Sequence, residues 1–565
     1  MRSTRRAALL ALLAPAALSA QTPQLPRTHE PQPTTPEITA ADLMTRLYIY
    51  ADDSMMGRRG GTVYNLKATD YIAAEAHAMG LVPAGDSGTY FQDLPLLREM
   101  LDTSSTITVA GATLKVLDDF LPRRLRGGPV RSLDGAPVVF GGALDAPDSL
   151  APDVVRGALV VVGPPRAAAP RVQLNGLLAR FRNAAALALP GLERVTPQFR
   201  NALRQPSLVM AGSAATDTTT LFMQVTTAAA GQLLGVPLDS AKAGATGRTV
   251  QAHLIYRTEP APARNVVAIV PGSDRKLKGE YVAIGAHNDH IGFTTNPVDH
   301  DSIRIWNHVV RPEGADDGGK QATPAQQAQV DSLLAAWRAG HPGASRKDSI
   351  DNGADDDGSG TVSVLEIAQR IATLHQKPKR SILFVWHTGE ELGLLGSRWF
   401  TDHPTVPRDS IVAQLNIDMI GRGDADDEVG RTKEGVPIHG GPDYLQLVGS
   451  RRLSTELGDL VERVNREDHH GLAFDYSIDA NGHPANIYCR SDHYSYARYG
   501  IPVVFFTTGI HSDYHQVTDE PEYIDYAHMA HVANLIEDIA VHVADLDHRV
   551  VVDQPKPDPT AACRQ

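Results

Sequence analysis

Residues 353–391 read GADDDGSGTVSVLEIAQRIATLHQKPKRSILFVWHTGEE, and their pattern sets the fold class. Three adjacent aspartates between glycines lead into a segment whose Val364, Ala368, Ile371 and Leu374 recur on one helical face. The stretch then runs into SILFVWH (381–387), an apolar run without polar alternation, as expected of a strand covered on both faces. The same texture recurs on either side, in VVAIV (266–270), YVAIGAH (281–287), IVAQLNIDM (411–419) and PVVFFTT (502–508). Strands alternating with helices predict an α/β domain with a mostly parallel central sheet flanked by helices. Residues 293–350 interrupt this order with a polar insertion containing one helix, DSLLAAWRAG (331–340).

Further out, the chain divides by composition. At 565 residues it exceeds one ordinary core. Residues 1–20 have Arg2, Arg5 and Arg6 before the short apolar run Ala7 to Leu18 and small residues, the layout of a cleavable signal peptide and of a secreted or periplasmic protein. The run is too short to span a bilayer, and no later stretch is long and apolar enough. Residues 21–37, with five prolines before Ile38, read as a flexible lead-in. NLKATDYIAAEAHAMG (65–80) reads as a helix stopped at Gly80. From 105 to 255 short β-rich runs (TITVA, APVVFGG, GALVVVG, QAHLIY) alternate with turn residues. This region is read as an inserted domain, leaving 38–104 and 256–548 as one discontinuous unit. Residues 549–565 read as a disordered tail.

The formal net charge is −13, and −16 without the three leading arginines. That balance argues against nucleic acid or anionic membrane as a partner. Two cysteines, Cys489 and Cys563, rule out a disulfide framework and nearly exclude a thiolate zinc site. Their mutual pairing stays open.

Chemistry-bearing residues cluster where predicted strands end, the place at which α/β sheets form crevices. After YVAIGA come His287 and, two residues on, Asp289, an imidazole and a carboxylate placed to orient it. Asp355, Asp356 and Asp357 precede a helix; a carboxylate can bridge two cations, and the flanking glycines allow a tight turn. Gly314 to Gly319 (GADDGG) repeats part of that motif inside the polar insertion, lacks the following helix, and is discounted. Glu390 and Glu391 follow the strand SILFVWH. If one binds metal, its neighbour can take a proton from water held there. Asp418 closes an apolar strand, and Tyr514 and His515 follow PVVFFTT. Two histidines and three carboxylates at five strand ends suit two zinc ions sharing one carboxylate. No HExxH occurs, and Gly85-Asp86-Ser87-Gly88 falls in a turn without partners for a serine hydrolase.

GAHNDH, GADDDGSG, TGEELGLLGS, NIDMIG and DYHQVTD, in this order, resemble the five signatures of the co-catalytic zinc aminopeptidase family. Bacterial leucyl aminopeptidase, aminopeptidase Y and glutamate carboxypeptidase are members. SDHYSYARYGIP (491–502) and MMGRRGGT…YIAAEAHAMGLVPAG (55–85) also resemble its segments, and DVVRGALVVV (153–162) is similar to a strand of the protease-associated domain many members carry. The resemblance implies His287 and Asp418 on one zinc, Glu391 and His515 on the other, and Asp356 bridging, by its distance from Ser359-Gly360. It implies Glu390 as general base, Asp289 as orienter of His287, and Tyr514 as oxyanion donor. The expected activity is removal of N-terminal residues from peptides by zinc-held water. The alternatives are a carboxypeptidase of the same family, a single-zinc glutaminyl cyclase-like enzyme, or a catalytically inactive binding protein.

Overall fold

The computed structural model describes residues 25–123, 131–146, 150–165, 176–177, 180–195, 206–211 and 220–565. The signal-like segment 1–20 lies outside them, as do residues 21–24 of the lead-in.

All five expected strands form, at Arg264–Val270, Tyr281–His287, Ser381–His387, Ile411–Ile417 and Val503–Thr507. Four of them pair in parallel, in the order 381–387, 281–287, 411–417, 503–507. The sheet turns antiparallel at both sides, where Arg264–Val270 joins Ser381–His387 and Tyr444–Val448 joins Val503–Thr507. The unbroken apolar runs have a simple cause, because side chains alternate between two buried faces. Ile284, Ile382, Phe384 and Trp386 pack in one core with the helices Ala40–Tyr50, Gly360–Thr373 and Tyr526–Ala544. Ala283, Leu383 and Val385 enter a second core with Phe400, Tyr496 and Phe505. The first of these layers is tied by Arg46, buried between Glu366 and Glu75.

The helix near 65–80 spans Val63–Ala78, with Gly80 at φ +73°, a conformation that costs glycine little. Among the described residues, eight strands between Thr106 and His253 form one sheet with its own core around Phe120, Val161 and Met223, while Ser207–Met210 pairs instead with Leu96–Leu101. The chain leaves for this unit at Leu101 and returns at Tyr256, and these two residues are paired in one antiparallel ladder.

The polar insertion holds more structure than the sequence suggests. The expected helix runs from Pro324 to Gly340, started by a capping box between Thr323 and Gln326. A second helix, His300–Val310, was not expected, because its charged and aromatic residues hide the apolar spacing. Antiparallel pairing of Gly292–Asp299 with Lys347–Asp351 closes the segment.

Two expectations about the ends are corrected. The described part of the lead-in is seated on the core: the Tyr48 hydroxyl bonds the Pro26 carbonyl, and the Thr35 hydroxyl donates to Asp42 at 2.7 Å. Residues 549–565 are likewise placed rather than loose. Cys563 is bonded to Cys489 with Cα atoms 5.8 Å apart, and the Gln565 side chain bonds the Tyr488 N–H at 3.0 Å and the Ile478 carbonyl at 2.5 Å. A composition rich in proline and polar residues hides such anchoring, because one covalent bond and a few hydrogen bonds replace an apolar face.

The bridge spans 74 residues of sequence. Loop-closure entropy for that length is worth about 4 kcal/mol. Cys563→Ser is therefore expected to lower the denaturant midpoint clearly, and thiol reductant should do the same to the unaltered chain. A midpoint indifferent to both treatments would show that the bridge does not form in solution.

Candidate metal centre

The five proposed ligands come from five separate segments, and the fold brings them together at the carboxyl ends of the parallel strands. His287 ends its strand, with Nε2 at 3.1 Å from Asp356 Oδ1 and 3.7 Å from Asp418 Oδ1. On the other side of Asp356, His515 Nε2 lies 3.0 Å from Asp356 Oδ2 and 3.0 Å from Glu391 Oε1. Two clusters result, His287–Asp356–Asp418 and His290–Asp356–Glu391–His515, with Asp356 in both.

The acidic triplet shows why Asp356 differs from its neighbours. Asp357 turns inward and accepts the backbone N–H groups of His287 at 3.0 Å and Gly360 at 2.9 Å. Asp355 accepts from Gly421 N at 2.6 Å and faces His511 at 3.2 Å. Asp519 holds the turn from behind by accepting the N–H groups of Asp355 and Asp356. Asp356 alone of the three faces both His287 and His515.

Asp289 sits beside His287, but its carboxylate lies 3.8 Å from Nδ1, while its backbone carbonyl lies 3.1 Å away. The carboxylate instead accepts the N–H groups of Gly389 at 2.7 Å and Glu390 at 3.1 Å, fixing the turn that presents the two glutamates. Asp418 is held by the Ser491 hydroxyl at 2.7 Å, which ties the SDHYSY segment to the site. Tyr514 stacks on His515, ring centres 4.1 Å apart, and its hydroxyl accepts from Arg490 at 3.2 Å.

His290 was assigned no role from the sequence, yet its Nδ1 lies 2.9 Å from Glu391 Oε1. The signal was present in HNDH, but a histidine three residues past a strand end faces the site only if the chain turns. Gly353, at φ +57°, permits that approach, since a Cβ there would lie 2.5 Å from the His290 ring.

Whether zinc suits this donor set can be judged from the atoms themselves. His287 Nε2, both His290 nitrogens and Glu391 Oε1 are buried and lack a hydrogen-bond partner, although imidazole nitrogens and carboxylate oxygens face one another near 3 Å. Their lone pairs converge instead of pairing, an arrangement too costly to bury unless a cation compensates it. Imidazole and carboxylate donors without thiolate fit zinc. Burial opposes charge on His515, yet the carboxylates of Asp356 and Glu391 push its pKa up to about 11. Glu390 lines the same cleft. Burial first, then the carboxylates of Asp418, Glu391 and Asp492, push it well above the usual glutamate range. Cations at the two clusters would draw it back down.

The cleft beyond the clusters encloses about 240 Å³. One wall is apolar, from Met419, Ile478, Ile487 and Phe505; the rim is charged, from Glu313, Asp316, Arg431 and Arg490.

The α/β sheet thus carries, at its strand ends, two joined His/carboxylate clusters that could hold metal. Residues 328–540, which hold four of the five proposed ligands, match the model of peptidase family M28. The chain is 37% identical over 98 residues to leupeptin-inactivating enzyme 1 of Streptomyces exfoliatus, covering 16% of this chain and 22% of that protein. It is 30% identical over 200 residues to leucine aminopeptidase 1 of Aspergillus oryzae, covering 34% of this chain and 47% of that protein. The matched regions thus span less than half of these relatives. Among solved structures, an aminopeptidase from Aneurinibacillus sp. strain AM-1 aligns with a TM-score of 0.47 at 15% identity, over 92% of this chain and 97% of that one.

Proposed function

We propose that the chain is an exported two-zinc exopeptidase that removes N-terminal residues from peptides. The observation that carries this reading is the pair of clusters sharing Asp356, with Glu390 beside them in one cleft. His287, Asp356 and Asp418 would hold one zinc, and Asp356, Glu391 and His515 the other. Bound there, zinc supplies Lewis acidity toward a carbonyl and acidifies water. The chain's own residues complete the reaction. The Glu390 carboxylate accepts a proton from the attacking water and returns it to the leaving amine. The Tyr514 hydroxyl donates to the carbonyl oxygen as negative charge grows on it. The apolar wall receives a nonpolar side chain of the residue being released. Export is supported by the signal-like first twenty residues and by the Cys489–Cys563 bridge, a bond that persists in oxidising compartments. The eight-stranded unit of residues 106–253 is read as a protease-associated-like domain.

A panel of peptides with free and blocked amino ends tests this directly. Hydrolysis of free-amine peptides, lost in chelator and restored by zinc, is expected, with about two zinc ions per chain. Turnover of amine-blocked peptides alone would make the enzyme a carboxypeptidase. A single zinc with cyclisation of N-terminal glutamine would make it a cyclase.

A further inference from the structure

The discounted GADDGG motif occupies a telling place in the fold. The turn Gly314–Asp317 belongs to the 292–351 insertion, yet it packs against the loop that carries Tyr514 and His515. Ala315 N–H donates to the Tyr514 carbonyl at 3.1 Å. Gly314, at φ +53°, lets the two backbones meet, since a Cβ there would lie 2.6 Å from the same oxygen. The rest of the insertion grips the same loop: Asn307 donates to Gln516 at 3.2 Å, and Arg346 bonds Glu520 at 2.6 Å and Glu522 at 2.7 Å. Neither aspartate of the motif gathers metal-binding partners. Asp317 pairs with Lys320, and Asp316 receives two bonds from Arg490, at 2.7 and 3.3 Å.

The geometry points to Asp316 as a positioning residue that acts through Arg490 to aim the Tyr514 hydroxyl at the substrate. A guanidinium only donates. Where Arg490 donates to the Tyr514 oxygen, at 3.2 Å, it takes up an acceptor site and leaves the hydroxyl proton to point elsewhere, toward the cleft that Tyr514 lines. A cation at that oxygen also makes the proton a stronger donor. Arginine has many rotamers, so the effect depends on what holds the guanidinium, and the two-bond contact from Asp316 does so in a planar fork. The pair is about one-third exposed on each side, too open to add much stability. Its value lies in orientation. The insertion, absent from the strand–helix repeat that builds the fold, thereby contributes to turnover from the edge of the cleft.

This inference rests on the peptidase reading, so the unaltered full-length chain is assayed first, on the free-amine peptide it cleaves best. Absence of hydrolysis there overturns the peptidase reading, and this inference with it. With an active parent, Asp316→Asn is expected to lower kcat about tenfold, the scale of a modest misalignment, with KM, zinc content and thermal midpoint unchanged. In a Tyr514→Phe background the same substitution should change nothing further, and Asp316→Glu should restore part of the loss. An unchanged kcat in Asp316→Asn overturns the inference while leaving the peptidase reading intact. So does an equal loss in the Tyr514→Phe background, or a loss that follows zinc content.

Discussion

Glu390→Gln is expected to cut turnover by roughly two to four orders of magnitude while the zinc content stays that of the unaltered chain. Glutamine keeps the shape of the side chain and its place in the turn fixed by Asp289, whose carboxylate bonds the backbone N–H of residue 390 at 3.1 Å. It removes the one property the mechanism asks of this position, the capacity to take and return a proton. General acid–base assistance is worth roughly 10²- to 10⁴-fold, so kcat should fall by that factor with KM little changed. Zinc per chain, measured on the same preparation, separates the two glutamates. If zinc leaves along with activity, Glu390 is a ligand and exchanges roles with Glu391.

Asp356→Ala is expected to have the widest effect of any single change at the site, because both clusters use this carboxylate. Its two oxygens face His287 at 3.1 Å and His515 at 3.0 Å. Losing it removes one donor from each cluster and should drop both zinc occupancies together. Asp418→Ala touches one cluster only and should leave the other ion in place. Retention of one tightly held zinc in Asp356→Ala would show that the carboxylate is not shared. Asp355 and Asp357 provide the contrast: they hold backbone N–H groups of Gly421, His287 and Gly360. Their replacement should therefore lower the thermal midpoint before it lowers zinc content.

Much of this was legible in the sequence, for reasons specific to its parts. Strands buried on both faces write themselves as continuous apolar runs, so SILFVWH and YVAIGAH could be read directly. Carboxylates and histidines directly after such runs stand out because the fold tolerates them there only with a partner. What escaped notice depends on turns and on distant partners. His290 faces the site through a local bend that Gly353 accommodates. The discounted Asp316 touches Arg490, 174 residues away in sequence. The helix His300–Val310 hides its apolar face among charged and aromatic residues, and the anchoring of residues 549–565 rests on one disulfide and a few hydrogen bonds, neither of which leaves a periodic trace.

The Cys489–Cys563 bond has a bearing on survival among other proteases. Between its two sulfurs lie Arg490, Ser491, Tyr514 and His515, all buried or half-buried, and then the largely exposed residues 551–562, of the sort that proteases nick first. A chain clipped within that stretch remains a single covalent body, its severed part still tethered beside the cleft. Without reductant such a nicked molecule runs as one band on a denaturing gel, and with reductant as two.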